Sequence, residues 1–126
     1  MLAVDTNVLV RLLVRDDARQ ALAADQAIAK GAWVSHLVLA EAMWVLVAVY
    51  ERNAAQSISV LEMLLAHRHL ALQDADTVAV ALTHFKRKPA LGFSDCLVVE
   101  IARKAGHTPL GSFDKALTSL PRTQRL

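Results

Sequence analysis

A mixed α/β fold built on a short parallel sheet is predicted by three features of this chain. Short apolar runs recur at Leu2-Ala3-Val4, Trp33-Val34-Ser35, Leu70-Ala71-Leu72 and Thr108-Pro109-Leu110, each too brief to be a helix. Longer stretches with helical spacing separate them, and that alternation builds parallel sheets with helices on both faces. Finally, Asp5, Asp95 and Asp114 stand where an apolar run gives way to a helical pattern, and such sheets gather their ligands at the carboxyl ends of the strands. With 126 residues, no internal repeat and no long linker, residues 1–126 are expected to be one domain.

Taken in order, Leu2-Ala3-Val4 is a strand, and Asn7 to Val14 continues with helical spacing that puts Arg11 and Arg15 on one face. Asp17 to Lys30 is rich in alanine, a strong helix former, and Gly31 marks its C-terminal cap. After the strand at Trp33, residues Leu37 to Arg52 place apolar side chains on nearly every face, as in a helix packed on more than one side. Asn53 is an N-cap for Ala54 to His67, so these two helices form a hairpin. Leu70-Ala71-Leu72 follows, Asp74 or Asp76 starts a helix through Phe85, and Lys86-Arg87-Lys88-Pro89 ends it. Ser94 to Lys104 is the next helix, closed by Gly106. Thr108-Pro109-Leu110 is extended, Gly111 a turn, Ser112 an N-cap for a last helix Phe113 to Leu120, and Arg122 to Leu126 an edge strand.

The apolar share of 55% and mean hydropathy of +0.35 exceed what one small core absorbs, so a partner or a second copy is expected. The longest membrane candidate, Leu37 to Tyr50, is interrupted by Glu41 and falls short of the roughly 20 residues a bilayer requires. Met1 to Asp5 shows no basic and apolar leader pattern, which makes a cytoplasmic location the expectation. A single cysteine, Cys96, beside Leu97, Val98 and Val99, excludes an internal disulfide and reads as a buried, inert thiol. Net charge is only +2, so any nucleic-acid contact must rest on local clusters. Those are Arg11 and Arg15, Lys86-Arg87-Lys88, Arg103-Lys104, and Arg122 with Arg125, although most of them also suit the negative end of a helix dipole.

Each acid has a local and a chemical reading. Asp5 is placed to cap the helix after it, or to point a carboxylate into the ligand crevice with Thr6 and Asn7 as neutral oxygens beside it. Glu41 shares its helical face with Leu37, Val38, Trp44, Val45 and Ala48; ionised and buried there it would be costly without a pair or a cation. Asp95 and Asp114 each follow a serine by one or two residues and are equally helix-start residues. Together the pattern outweighs its parts, because carboxylates crowded at strand ends repel by about 4 kcal/mol per pair at ~4 Å. A divalent cation or a raised pKa then becomes necessary, and all-oxygen ligands favour Mg2+ or Mn2+ over zinc. His67 and His69 lie near a helix end, His36, His84 and His107 are isolated, and no zinc-enzyme spacing occurs.

Asp5-Thr6-Asn7, the run Val34 to Glu41 leading to Trp44-Val45-Leu46, then Phe93-Ser94-Asp95-Cys96-Leu97, then Ser112-Phe113-Asp114, resemble the PIN-domain ribonucleases in order and spacing. Within that family the likeness is to the VapC toxins of prokaryotic toxin–antitoxin pairs. The resemblance implies a three-layer α/β/α fold with a short central parallel sheet, and a pocket formed by Asp5, Glu41, Asp95 and Asp114. It also implies cleavage of RNA with Mg2+ or Mn2+, Asp5 and Asp95 ligating the metal and Asp114 and Glu41 completing the site or holding its waters. Thr6, Asn7 and Ser112 match supporting positions. Ser94 stands where many members carry alanine, and its hydroxyl is expected to cap the helix. A homodimer through the apolar helix around Trp44 and Tyr50, and a VapB-type antitoxin bringing a basic side chain to the pocket, are further implications.

Two other classes stay in view. A haloacid-dehalogenase-like phosphatase needs a second aspartate two residues after the first, where this chain has Asn7, and a phosphoacceptor receiver needs a lysine after the last strand, where it has Ser112. A catalytically silent RNA- or protein-binding PIN module would keep the fold without turnover.

Overall fold

Asp5, Asp17, Ser35 and Asn53 set the helical rhythm of the first half, each accepting a backbone N–H from the first turn of the helix it precedes. In the computed structural model, which describes residues 1–126, they start α1 (Thr6–Val14), α2 (Ala18–Ile28), α3 (His36–Ala48) and α4 (Ala54–Ala66). At Asn53 the cap is reciprocal: Gln56 N–H donates to Asn53 Oδ1 and Asn53 N–H donates to Gln56 Oε1, at 2.8 and 2.9 Å. Gly31, at φ +95°, turns the chain out of α2, its N–H donating to Ile28 O at 2.8 Å. Strands β1 (Leu2–Ala3), β2 (Ala32–Val34) and β3 (Leu70–Leu72) pair in parallel in the order β1-β2-β3, with Ala3 opposite Trp33 and Trp33 opposite Ala71.

The chain forms two compact units, Met1–Ala75 and Asp76–Leu126. The first holds the three-stranded sheet and its helices, with Val34, Leu39, Leu46, Leu61 and Leu64 fully buried. The second takes in nearly all of α5 (Ala75–Arg87), then α6 (Phe93–Lys104), and a parallel pair of β4 (Leu110–Ser112) and β5 (Thr123–Arg125). Its core includes Val78, Leu82, Cys96, Leu97 and an edge-to-face contact of Phe85 with Phe93, centroids 6.3 Å apart.

Three expectations are corrected. No α-helix runs from Phe113 to Leu120; only a short 3₁₀ turn forms at Leu117–Ser119. Thr118 N–H still reaches Asp114 O, four residues back, at 3.1 Å, but Ser119 and Leu120 N–H bond only three residues back, to Ala116 O and Leu117 O, so the segment tightens to a 3₁₀ turn and stops. Ser94 does not cap α6, because the helix begins one residue earlier and its cap position is Gly92, at φ +81° and without a side chain to offer. Nor is α3 covered all round: Leu39, Ala42, Met43 and Leu46 face the core, while Leu37 and Trp44 are 68% and 65% exposed. No helix is long and apolar enough to cross a membrane.

Candidate active site

In the first unit β1 delivers Asp5 to the start of α1, where extended backbone aims its carboxylate along the helix axis and Val8 N–H donates to Oδ1 at 3.1 Å. That bond occupies one oxygen and leaves the other without a protein donor. Thr6, the next residue, donates its hydroxyl to Glu41 Oε2 at 3.3 Å, so α1 and α3 together bring Glu41 beside the first acid's turn. Glu41 is exposed rather than buried, and the desolvation argument for it fails: its face of α3 is the uncovered one. Asp5 and Asn7 also border an open groove of about 420 Å3 between α1 and α2, lined further by Arg11 of α1 and by Gln20, Ala23, Ala24 and Ala27 of α2.

The second unit holds its acids differently. Asp95 lies in the first turn of α6. Burial first, and the charge of Asp114 second, push its carboxyl above the usual range, and neither donor nor cation offsets them. Asp114 sits just beyond β4. Its Oδ1 accepts from Ala116 N–H and Leu117 N–H at 2.9 and 3.3 Å, and its own N–H donates to Ser112 Oγ at 3.0 Å. Ser112 therefore shapes the turn that carries Asp114 instead of capping a helix. Cys96 is fully buried, with its thiol pushed up to about 11, first by burial and then by Asp95, which keeps it unreactive.

Sequence reasoning passed over Glu100, an almost fully buried acid on α6. Its carboxylate takes Arg103 Nε on one oxygen and His84 Nε2 on the other, the latter at 2.9 Å, so His84 is not isolated. Burial pushes Glu100 up, but the hydrogen bonds and charges of Arg103 and His84 outweigh it and hold the carboxyl below its usual range. The signal was present in an apolar helix face interrupted by one acid, the criterion applied to Glu41.

The basic clusters divide. Arg11 donates to Asp16 at 2.7 Å and to Tyr50 at 3.1 Å, and Arg15 grips Asp25 through two bonds at 2.9 and 2.6 Å. These arginines are engaged, as is Tyr50, which reads as an anchor of α1 rather than a free aromatic. Arg103 is held by Glu100, and Lys88 Nζ donates to Ser119 O and Oγ. Arg87, Arg122 and Arg125 carry no ion pair.

Within neither unit do three His, Cys, Asp or Glu side chains converge to hold a metal ion. The first unit holds Asp5 beside the Thr6–Glu41 hydrogen bond, and the second holds Asp95 near Asp114. Carboxylates and hydroxyls are the donor chemistry of Mg2+ and Mn2+, so the residues present fit that cation type.

The PIN domain family model matches residues 2–123. This chain belongs to the PIN domain family. Membership accounts for the mixed α/β fold with its six helices and small parallel sheet, and it points to nuclease activity of a kind that usually depends on a divalent metal. No curated protein and no solved structure matches the chain significantly.

Proposed function

We propose that this PIN protein is a Mg2+- or Mn2+-dependent endoribonuclease and the VapC-type toxin of a toxin–antitoxin pair, acting as a single domain. The observation that carries the nuclease reading is Asp95: burial first, and the charge of Asp114 second, work against its ionised carboxylate, with no cation of the protein's own to relieve it. A folded protein keeps such a repulsion where a bound cation repays it.

In this reading Asp5 and Asp95 hold the metal, with Glu41 and Asp114 completing the site. When bound, the ion supplies a Lewis acid for the scissile phosphate and lowers the pKa of water. The chain's own groups do the rest. Val8 N–H fixes the rotamer of Asp5 while leaving its second oxygen available. Thr6 orients Glu41 to accept a proton or hold water, and Ser112 with the Ala116 and Leu117 N–H groups locks Asp114 in one orientation. Such locking lowers the reorganisation needed as charge develops on the phosphate. Asn7, where a phosphatase needs an acid, gives no support to an aspartyl-phosphate route.

The uncovered face of α3, with Leu37, Trp44 and Val47, supports a homodimer or an amphipathic antitoxin segment as its cover. The deciding experiment incubates the purified protein with cellular RNA in Mg2+ and maps the new ends by sequencing. Discrete ends that vanish with EDTA and in Asp95→Asn support the reading; intact RNA under all conditions overturns it. Co-purification with the product of an adjoining short gene tests the toxin assignment separately.

A further inference from the structure

The three phenylalanines of the chain do not share one fate. Phe85 and Phe93 are each 4% exposed and pack against each other, whereas Phe113 is 81% exposed. A lone exposed apolar side chain is ordinary on a protein surface. The setting of Phe113 is not. It lies between Ser112 and Asp114 in a turn tied on both sides, by Asp114 N–H to Ser112 Oγ at 3.0 Å and by Ala116 N–H to Asp114 Oδ1 at 2.9 Å. Leu126 N–H donates to Ser112 O at 3.0 Å, so β5 anchors the same turn. The backbone under the ring is ordered before any ligand arrives.

Cations flank it. Arg125 is the ladder partner of Ser112, and Lys115 follows two residues after the ring; both are exposed and neither has an ion pair. An exposed aromatic ring on a turn that also carries unpaired cations matches the way single-stranded nucleic acid is bound, the ring stacking a base and the cations taking phosphates. A protein covering this ring would have to desolvate Arg125, Lys115 and the Asp114 carboxylate together, which is costly unless each finds a partner. Phosphates supply the anions that the two cations lack.

We propose that Phe113 is a base-stacking platform that seats the nucleotide adjoining the cleaved phosphodiester of a single-stranded RNA, with Arg125 and Lys115 gripping the backbone. The proposal rests on the ribonuclease reading above and names a binding residue that this reading does not use. Stacking on an aromatic face is sequence-tolerant, so Phe113 contributes affinity and register rather than base identity.

The test measures binding of a short unstructured RNA carrying 2-aminopurine to the whole protein in EDTA, for the parent and for Phe113→Tyr, Phe113→Leu and Phe113→Ala. Stacking predicts quenched 2-aminopurine emission with the parent and Phe113→Tyr. Phe113→Leu and Phe113→Ala should both bind roughly 5- to 100-fold more weakly without quenching, and melt at the parent's temperature. Parent-like affinity in Phe113→Leu would show that an apolar contact suffices and would overturn the stacking role. Parent-like affinity and quenching in Phe113→Ala, with the parent still cleaving RNA in Mg2+, would overturn this proposal and leave the nuclease standing. A parent that neither binds nor cleaves RNA removes both. Loss of a dimer in Phe113→Ala by light scattering, with RNA affinity unchanged, would give the ring to a protein interface and likewise overturn the proposal.

Discussion

In residues 1–75 the candidate acids each find a neutral donor, Val8 N–H for Asp5 and the Thr6 hydroxyl for Glu41, whereas in residues 76–126 Asp95 finds none and faces the charge of Asp114. The first unit holds Asp5 with a backbone dipole it would need anyway to start α1, and Glu41 with a neutral hydroxyl from the same helix. The second holds one of them against an electrostatic gradient. Local helix chemistry is explanation enough for Asp5, as capping is worth about 1 kcal/mol on its own. It covers Asp95 only in part: the acid lies in the first turn of α6, where the helix dipole suits it, but it gains no hydrogen bond there, and burial and the Asp114 charge hold its carboxyl above the usual range. Under the proposed nuclease reading, the second unit is where the site departs from what stability alone would select.

The largest expected effect breaks the comparison by activity. Asp95→Asn should lower RNA cleavage on the order of 1,000-fold, yet melt no lower than the parent at neutral pH because it removes a repulsion. Asp5→Asn should cost a similar factor while retaining its cap, since asparagine caps as well as aspartate. Thermal melts beside single-turnover cleavage read both. Equal cleavage by either variant and the parent would sever the acids from the reaction.

Next comes stability within α6. Glu100→Ala strips a buried carboxylate from Arg103 and His84 and should cost about 3 kcal/mol, read as a lowered urea midpoint. A midpoint unchanged from the parent's would mean the network contributes nothing.

A smaller effect sharpens the contrast through pH, because Asp95 and Glu100 are displaced in opposite directions on the same helix. Glu100 is held below its usual range, so its stabilisation is present above the unfolded value and is lost as pH falls through the folded one. Asp95 is held above its usual range, so the folded state binds its proton more tightly than the unfolded chain does. Its penalty is full above the folded pKa and disappears as pH falls below the unfolded one. The melting advantage of Asp95→Asn over the parent should therefore shrink on acidification, while the deficit of Glu100→Ala should shrink over a lower interval. Parallel pH profiles for the two variants would contradict the assigned directions.

The smallest effect probes the first unit. Thr6→Val deletes one exposed hydrogen bond to Glu41 and should change stability by less than about 1 kcal/mol, while slowing cleavage several-fold by freeing the Glu41 rotamer. A rate loss as deep as that of Asp5→Asn would assign Thr6 to the reacting centre itself.

What could be read from the chain beforehand was what depends on neighbours in sequence. Asn53 announces a helix cap, Gly31 an exit from α2, and short apolar runs at Trp33-Val34-Ser35 and Leu70–Leu72 announce strands, the first lying one residue earlier at Ala32–Val34, because helix caps and strand runs are decided within a few residues. The ordered acidic motifs were enough for the family, and the PIN match over residues 2–123 agrees. Partnerships across the fold were not available in that way. That Glu41 is exposed while Glu100 is buried and doubly paired, that Arg11 is spent on Asp16 and Tyr50, and that Phe113 stands bare while Phe93 is covered, all depend on which helix face meets another element. Periodicity counts apolar positions around a helix but cannot say which stripe a neighbour covers, because burial and desolvation are properties of the packed surface.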